Sequence, residues 1–299
     1  MIQLHIAVVL FGLAGLIGKT TGLPALVLVA GRTLWAAAAL VVILWATGSS
    51  APKQSARQTG ALILQGALLA AHWVAFFHSI QISSIAVGLI SFSTFPLFVI
   101  FLEPMVSEER LRKRDVLAAA VVSVALVFVV PDLRLENDVT QGALWGVGSG
   151  VLFAILALLN KRCVQDFSPL LLAFYQNSGA ALLLLPFTAW SLTALTVDQQ
   201  LRLAVLGVLC TALAHSLFLR ALKKVPARIA GIVTGLESVY GAAFGYLFLH
   251  EVPAERTILG GLVVLVVVTL LQLDHSSRPQ QETSRTAPDR AIGRTSAFS

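Results

Sequence analysis

Charged residues are scarce in this chain of 299 residues, and their scarcity excludes an ordinary soluble fold. Only 12% of the residues are charged, whereas 57% are hydrophobic, and the mean hydropathy is +0.85. A soluble domain carries about 25% charged and about 45–50% apolar residues. A soluble fold of this length could not hide so much apolar surface, so we infer that lipid is the surrounding solvent.

Cysteine and enzyme motifs are equally sparse. Cys163 and Cys210 are the two cysteines, and both lie in or beside apolar runs, so they predict neither a disulfide framework nor a zinc site. The sequence contains no phosphate loop, HExxH, GxSxG or CxxC pattern, and its connections are short. We therefore expect no enzyme activity, no catalytic residue, no cofactor and no metal.

Apolar runs long enough to cross a bilayer recur throughout the chain. A transmembrane helix needs about 20 mostly apolar residues. Pro96 lies inside the fourth run, where a proline should kink the helix and free a backbone carbonyl. The ten candidate spans are residues 2–18, 24–46, 60–80, 85–104, 114–131, 141–160, 169–191, 201–221, 228–249 and 256–273.

Lysine and arginine are divided unevenly between the two sides of these spans. If the N-terminus is cytoplasmic, 15 of the 21 basic residues lie inside, 4 lie outside, and Arg32 and Arg220 lie within spans. The loops alone divide 11 to 4, so the C-terminal tail does not decide the orientation. Because cytoplasmic segments carry the excess of positive charge, we predict a multi-pass protein of the inner (cytoplasmic) membrane with both termini cytoplasmic. The net charge of +6 therefore predicts no nucleic-acid partner.

Two long stretches of the sequence match each other without a gap. Residues 71–108 and 214–251 share a pattern of two apolar runs, a histidine in the first run and an acid at the end, at an offset of 143 positions. A second match lies upstream, at an offset of 142 positions. The matched pairs are Phe11 with Phe153, Lys19 with Lys161, His72 with His215, and Glu108 with Glu251.

This internal repeat predicts the domain organisation. Residues 1–131 and 140–273 form two similar halves with five candidate spans each. Because five is an odd number, the second half is inserted upside down relative to the first. The predicted fold is an all-α membrane protein of ten transmembrane helices in two inverted five-helix repeats, which is typical of secondary transporters. Residues 274–299 are polar and predict a disordered cytoplasmic tail.

The end of the second half resembles a known family. The segment LESVYGAAFGYLFLHEVPAERTILGGLVVLVVVTLL, residues 236–271, is similar to the closing segment of EamA domains in the drug/metabolite transporter superfamily, with Glu251 and Gly260-Gly261 at matching positions. Phe95-Pro96 and Glu108 carry the resemblance into the first half. Many members have Leu-Glu-Pro-Val where this chain has Leu-Glu-Ser-Val around Glu237. The resemblance implies ten helices, a cavity lined largely by spans one, three, four, six, eight and nine, and transport of small organic molecules, often the export of amino acids.

Two charged residues lie inside predicted spans and are the first candidates for a site. Glu237 is near the centre of span nine, where an acid costs about 2.5–3.5 kcal/mol to insert. It is either a proton site or substrate anchor, or a protonated side chain that bonds a neighbouring helix. Arg32 in span two could pair with it as a gate or a carboxylate site, or it could extend to the outer headgroups. Asn177 is the repeat counterpart of Arg32, so a polar residue recurs there.

The repeat-related histidines are the second candidates. His72 and His215 lie near the middle of spans three and eight, and inverted symmetry would bring both near the membrane midplane. A neutral imidazole donates one hydrogen bond, accepts one and titrates near neutral pH, so either could bind substrate or relay a proton. Both could equally be packing residues. Trp73 beside His72 could offer an aromatic wall to a substrate, or it could simply pack.

The leading hypothesis is an exporter of small metabolites such as amino acids, working by alternating access and driven by proton exchange. One alternative is an importer or facilitator of a sugar or vitamin, and a third, of another class, is a membrane scaffold without transport. The expected partners are a small-molecule substrate and the lipid bilayer, with a proton as the candidate coupling ion and a second copy of the chain as a candidate partner.

Overall fold

Helices account for all the regular structure in the described part of the chain. The computed structural model describes residues 1–48, 55–105, 111–130, 134–224 and 227–276. Glu108 lies outside these residues, and so does the predicted tail from 277 onward. The last helix continues to Ser276, so the first three residues assigned to the tail belong to that helix.

The helices lie on the predicted apolar runs. Helical residues occur in all ten predicted ranges, and two of these runs are divided into shorter helices. The bounds are α1 Ile2–Thr20, α2 Ala25–Ala46, α3 Ala56–Ile82, α4 Ile85–Phe92, α5 Phe95–Leu102, α6 Lys113–Val129, α7 Asp138–Asp166, α8 Pro169–Thr193, α9 Val197–Gly207, α10 Ala214–Lys224, α11 Ala227–Leu249 and α12 Glu255–Ser276. A 3₁₀ turn, Glu103–Met105, follows α5, and a π-helical segment, Val208–Leu213, joins α9 to α10.

Seven of the helical segments are long and apolar enough to cross a membrane, within the ranges that the structure describes. Their mean hydropathies run from 1.5 to 2.3 over 18 residues, with at most two charged residues in each window. The chain is therefore a helical, multi-pass membrane protein. The seven segments are Ile2–Thr20, Ala25–Ala46, Ala56–Ile82, Ile85–Met105, Asp138–Asp166, Pro169–Thr193 and Val197–Lys224.

Polar caps explain where several helices begin. Ser84 lies two residues after the end of α3, and its hydroxyl accepts a hydrogen bond from the N–H of Val87 in the first turn of α4. Asn137 caps α7 in the same way. At α8, Ser168 is the cap and Pro169 occupies the first helical position, where its missing N–H costs no bond. These caps allow short connections between long antiparallel helices.

The interruption predicted at Pro96 takes a different form from the one expected. The fourth apolar run is not one kinked helix: α4 ends at Phe92, Ser93 and Thr94 break the run, and Pro96 lies in the first turn of α5. A proline in a first turn removes no intrahelical bond that would otherwise form. The break lies beside α7, because a Cβ atom on Gly150 would come within 3.2 Å of the carbonyl oxygen of Phe92.

Close helix contacts depend on glycine at two places. A Cβ atom on Gly12 of α1 would lie 3.0 Å from the backbone nitrogen of Gly241 on α11. A Cβ atom on Gly66 of α3 would lie 2.7 Å from the backbone nitrogen of Ala180 on α8. Real Cβ atoms essentially never come that close to backbone atoms, so a side chain at Gly66 would force α3 and α8 apart. Small residues permit such close packing where lipid provides no hydrophobic drive between helices.

An ion pair ties three parts of the chain together at one end of the helices. Lys19 at the end of α1 lies 2.8 Å from Glu251, in the connection between α11 and α12, and also donates to the carbonyl of Ser83 at 2.9 Å. The other oxygen of Glu251 accepts from the N–H of Ile85, the first residue of α4, at 3.1 Å. Both charged side chains are about a quarter exposed.

A second ion pair lies at the opposite end of the broken fourth segment. Glu103 follows α5, and its carboxylate lies 3.3 Å from the Nζ atom of Lys161 on α7. Lys161 is the residue that the internal repeat matches to Lys19. Repeat-related lysines therefore make ion pairs at the two ends of the segment Ile85–Met105.

Candidate functional site

A cavity between the helices brings together most of the residues that the sequence singled out. About 520 Å³ of empty space lies between and in front of its lining atoms, and part of that space is open to the surroundings. Its walls come from α1, α2, α3, α4, α7, α10 and α11, so α2 joins the helices that the family resemblance implied. The lining residues are Phe11, Ala14, Arg32, Leu69, His72, Trp73, Phe76, Phe92, Phe153, His215, Phe218, Thr234 and Glu237.

Arg32 is fixed in the cavity wall rather than directed to the headgroups. Its side chain is only 2% exposed, its Nε donates to the hydroxyl of Thr211 at 2.9 Å, and one Nη donates to the carbonyl of Cys210 at 3.4 Å. The guanidinium carbon lies 4.1 Å from the centre of the Trp73 ring and 5.0 Å from that of Phe77. A guanidinium has five N–H donors, so three remain without a partner in the described part of the chain.

The irregular segment between α9 and α10 provides the partners of Arg32. Residues Val208–Leu213 form a π-helix, in which carbonyl groups are out of register with the α-helical bonding pattern. Thr211 bonds back to the carbonyl of Leu206, and the carbonyl of Cys210 remains available to Arg32. No sequence pattern indicated this segment, because its apolar residues do not distinguish it from a regular helix.

Glu237 lies on α11 and faces the same cavity as Arg32. It is 5% exposed and has no hydrogen-bond or ion-pair partner among the described residues. In that same part of the chain no ion pair joins it to Arg32. The cavity therefore holds a buried cation and a buried acid that are not neutralised by direct contact. Such residues are costly in a membrane and mark ligand or ion pathways.

His72 is held by α7. Its Nδ1 atom lies 2.8 Å from the hydroxyl oxygen and 3.1 Å from the carbonyl oxygen of Ser149, and that hydroxyl lies 3.1 Å from the carbonyl oxygen of His72. The ring packs against Phe153 at 4.9 Å and Phe92 at 5.4 Å between ring centres. Sequence reasoning did not find Ser149, because a single serine in an apolar helix is common.

His215 and Trp73 contact each other in the cavity wall. Their ring centres are 6.1 Å apart in an edge-on arrangement. The Nδ1 atom of His215 is buried and has no hydrogen-bond partner among the described residues. Trp73 therefore touches Arg32 on one side and His215 on the other. The two histidines matched by the repeat both reach the cavity.

Of the six predicted substrate-binding or coupling residues, five line the cavity and Asn177 does not. The side-chain nitrogen of Asn177 donates to the carbonyl of Ala173 on its own helix at 2.8 Å, and the residue is not part of the cavity wall. The neighbouring residue Gln176 instead joins a separate buried cluster, with bonds to Gln65 at 2.9 Å and Asn160 at 2.6 Å. The helical period explains the difference, since adjacent residues on a helix point about 100° apart.

Aromatic side chains form much of the remaining wall. Phe11 and Phe153, which the repeat matches to each other, both contact Phe218, with ring centres 5.9 Å and 6.1 Å apart. The repeat that predicted the histidines could have predicted this phenylalanine pair as well. The site thus combines an arginine, an acid and two histidines with an aromatic surround. A predominantly apolar wall with a few convergent polar groups is the usual form of a small-molecule site.

A multi-pass helical membrane protein that encloses such a cavity has the form of a membrane transporter. The chain belongs to the EamA-like transporter family, whose model matches residues 1–130 and again residues 140–273. It is thus a transporter of the drug/metabolite type and not an enzyme.

Named relatives agree with this class. The chain is 26% identical over 219 residues to the pseudopaline exporter CntI of Pseudomonas aeruginosa (strain UCBPP-PA14), covering 73% of this chain and 75% of that protein. It is 26% identical over 208 residues to an S-adenosylmethionine uptake transporter of Rickettsia bellii (strain RML369-C), covering 70% of each. One solved crystal structure has a TM-score of 0.65 at 16% identity and covers 92% of this chain and 98% of that one, which shows a shared fold.

Proposed function

We propose that this protein is a secondary transporter that exports small organic metabolites such as amino acids by alternating access. The proposed architecture has ten transmembrane helices in two inverted five-helix repeats, residues 1–131 and 140–273, with both termini in the cytoplasm. Two successive matches to one family model and the odd number of helical runs in each half support this arrangement. The excess of lysine and arginine on one side supports the orientation in the inner membrane.

The observation that carries the proposal is the state of Arg32. The guanidinium is buried, makes no ion pair in the described residues and keeps three N–H donors free beside a cavity. A buried cation without a counter-charge is strongly destabilising, and a ligand carboxylate would relieve that cost. Arginine also binds carboxylates with two parallel N–H bonds. We therefore assign the substrate carboxylate to Arg32.

Glu237 is the counterpart for the other end of an amino acid. It faces the same cavity without a partner in the described part of the chain, so it can accept a substrate ammonium group or carry the coupling proton. The aromatic rings of the wall would then surround an apolar side chain. A zwitterion bound in this way places each charge against its opposite, which low-dielectric surroundings strengthen.

The two ion pairs at opposite ends of the fourth segment support alternating access. Lys19 with Glu251 connects cavity-lining helices at one end, and Lys161 with Glu103 connects helices at the other. In an inverted repeat, equivalent residues lie on opposite sides of the membrane. We propose that the Lys19 pair opens when the cavity faces outward and that the Lys161 pair opens when it faces inward.

Uptake is a second candidate direction, and the named S-adenosylmethionine uptake transporter among the relatives favours it. The exporter among the relatives favours the leading proposal equally directly. Both directions use the same cavity and the same alternation of access. The two candidates therefore differ in which gradient drives the cycle and not in where the substrate binds.

Counterflow in liposomes tests the proposal. Purified protein is reconstituted with an unlabelled amino acid inside, and uptake of the labelled compound is followed for a panel of amino acids and other small carboxylates. The proposal predicts counterflow of at least one compound and a raised melting temperature in its presence. Failure of the whole panel in both assays would instead support a scaffold. An imposed proton gradient of either sign then distinguishes export from uptake.

A further inference from the structure

The hydrogen bonds of His72, which lines the cavity, involve only one of its two ring nitrogens among the described residues. Nδ1 contacts two oxygens of Ser149, the hydroxyl oxygen at 2.8 Å and the backbone carbonyl oxygen at 3.1 Å. The same hydroxyl lies 3.1 Å from the carbonyl oxygen of His72, to which it donates. Nε2 has no hydrogen-bond partner in the part of the chain that the structure describes.

These distances fit one arrangement of protons best. A carbonyl oxygen can only accept a hydrogen bond, so the contact between Nδ1 and the carbonyl of Ser149 requires Nδ1 to donate. The serine hydroxyl has one proton and gives it to the carbonyl of His72, so its oxygen is free to accept from Nδ1 as well. Nδ1 therefore carries a hydrogen, and in a neutral imidazole Nε2 is then the bare acceptor.

We propose that Ser149 is a positioning residue that holds neutral His72 in its Nδ1–H tautomer, so that Nε2 offers a lone pair to the ligand in the cavity. This inference rests on the proposed function, because it assumes that the cavity binds a transported ligand. A histidine presented in this way recognises a hydrogen-bond donor, such as an ammonium or hydroxyl group. It also has a lone pair ready to take up a proton.

The other polar groups of the cavity give this tautomer its significance. Arg32 on α2 offers only donors, whereas Glu237 on α11 offers acceptors when ionised. His215 on α10 has a buried Nδ1 atom without a partner, so nothing in the described structure fixes its tautomer. His72 thus adds an acceptor of fixed direction to a wall whose strongest group is a donor.

The repeat shows why the two histidines differ. Ser149 lies on α7, and the position matched to it at the offset of 142 is Ala7 on α1, a fully buried residue without a hydroxyl. The first half therefore has no serine to offer to His215 at the equivalent place. The symmetry that brings both histidines to one cavity is broken at the residue that orients the ring, and we assign the directional role to His72 alone.

Nitrogen-15 NMR of the full-length protein in lipid tests the tautomer without any substrate. The protein is labelled with ¹⁵N-histidine and its ring nitrogens are recorded at a mildly alkaline pH. The chain has six histidines, and the His72 signals are those that disappear in His72→Asn. The proposal predicts an Nδ1 bearing hydrogen and an unprotonated Nε2. Signals of the Nε2–H tautomer, or of a ring protonated on both nitrogens, would overturn it.

Variants of the serine then test its positioning role. Ser149→Ala leaves only the longer bond to the backbone carbonyl, so part of the His72 population should change to the Nε2–H tautomer. Ser149→Thr keeps a hydroxyl and should restore the wild-type spectrum. Ser123→Ala is the matched control, because that exposed serine bonds its own helix on α6. A Ser149→Ala spectrum identical to that of the wild type would show that Ser149 does not determine the tautomer of His72.

Two substitutions of the histidine connect the tautomer to the ligand. His72→Gln can place a carbonyl oxygen where Nε2 lies, whereas His72→Asn keeps a donor toward Ser149 but has nothing at the Nε2 position. For a compound identified by counterflow, we expect the half-saturation concentration to rise less than about threefold in His72→Gln. In His72→Asn it should rise at least tenfold. Equal losses, with the wild-type tautomer confirmed by NMR, would overturn the ligand contact but leave the transport function standing. If the panel gives no counterflow, the NMR result still decides the tautomer.

Discussion

Lys19 and Glu251 form an ion pair 2.8 Å long that joins the end of α1 to the connection between α11 and α12. The position of Glu251 depends on His250, which has a positive φ of 54° and turns the chain after α11. The carboxylate then reaches the first N–H of α4, where the helix dipole favours negative charge. Three cavity-lining helices, α1, α4 and α11, are therefore connected at one end by a single pair of side chains.

Removing this ion pair should expose the cavity from that side. Glu251→Gln weakens the contact by about 1 kcal/mol, the upper value typical of partly exposed pairs, which corresponds to about fivefold in an opening equilibrium. The measurement is the labelling rate of a thiol introduced by Ala14→Cys in a background without Cys163 and Cys210, using a membrane-impermeant maleimide applied from outside. We expect labelling to be about fivefold faster in Glu251→Gln than in the parent.

The control for this experiment is Asp198→Asn. That substitution removes an ion pair with Arg202 that lies largely within a single helix, α9, and should leave the labelling rate unchanged. The exchange Lys19→Glu with Glu251→Lys should restore the slow rate only in part, because a lysine at 251 would face the positive end of α4. Unchanged labelling in Glu251→Gln would contradict the gating role of the pair.

Glu237→Gln tests whether the acid on α11 acts through its charge. Glutamine keeps the size and the hydrogen-bonding capacity but cannot ionise, so the variant should insert and fold yet lose the pH dependence of transport. The measurement is counterflow rate against pH, normalised to folded protein, with the exposed Glu255→Gln as the matched control. A rate and pH profile equal to those of the wild type would show that Glu237 is a neutral packing residue. Loss of folded protein, partly rescued by Arg32→Gln, would show that the two charges act structurally.

Gly66→Ala should destabilise the contact between α3 and α8. The new methyl group would meet the backbone nitrogen of Ala180 at 2.7 Å, and relieving that overlap costs about 1–3 kcal/mol. Gly148→Ala on α7 is the matched control, since a Cβ atom there meets nothing within 4 Å and alanine favours a helix by about 0.5–1 kcal/mol. Thermal unfolding in detergent should place the two melting temperatures on opposite sides of the wild type. A Gly66→Ala protein as stable as the wild type would contradict the described packing.

The orientation of the chain is tested at its last residue. A reporter active only in the cytoplasm and one active only outside it are fused in turn at Ser299. The uneven distribution of lysine and arginine predicts activity of the cytoplasmic reporter alone. Activity of the outside reporter would contradict both the orientation and the inverted repeat.

The sequence was sufficient for the helices because their signal is local. Long apolar runs bounded by Pro24, Ser84 or Pro169 predict helices and their starts without knowledge of the partners. The repeat also predicted that His72 and His215 would share a location, since related halves bring equivalent residues together. The identity of the chain as a member of the EamA-like transporter family was confirmed, because the motifs in residues 236–271 specify a fold.

The details of the site were less predictable, because they depend on which faces of different helices meet. Asn177 matches Arg32 in the repeat, but its side chain bonds to its own helix. The adjacent residue, Gln176, belongs instead to a buried cluster of amide side chains. The break before Pro96 divides an apolar run that the sequence presents as one helix, and the π-helix at Val208–Leu213 places the carbonyl of Cys210 against Arg32. Ser149 and Thr211 owe their importance to those neighbours, so no local pattern indicated them.

Binding of the substrate carboxylate by Arg32 is tested most directly by comparing two ligands in two proteins. The half-saturation concentration in counterflow is measured for a carboxylate substrate and for its neutral amide, in the wild type and in Arg32→Gln. For a ligand that is not transported, its inhibition of substrate counterflow is measured instead. If the guanidinium contacts the carboxylate, the substitution should weaken the acid by at least tenfold while changing the amide by less than about threefold. An equal loss for both ligands, with folded protein unchanged, would contradict the claim.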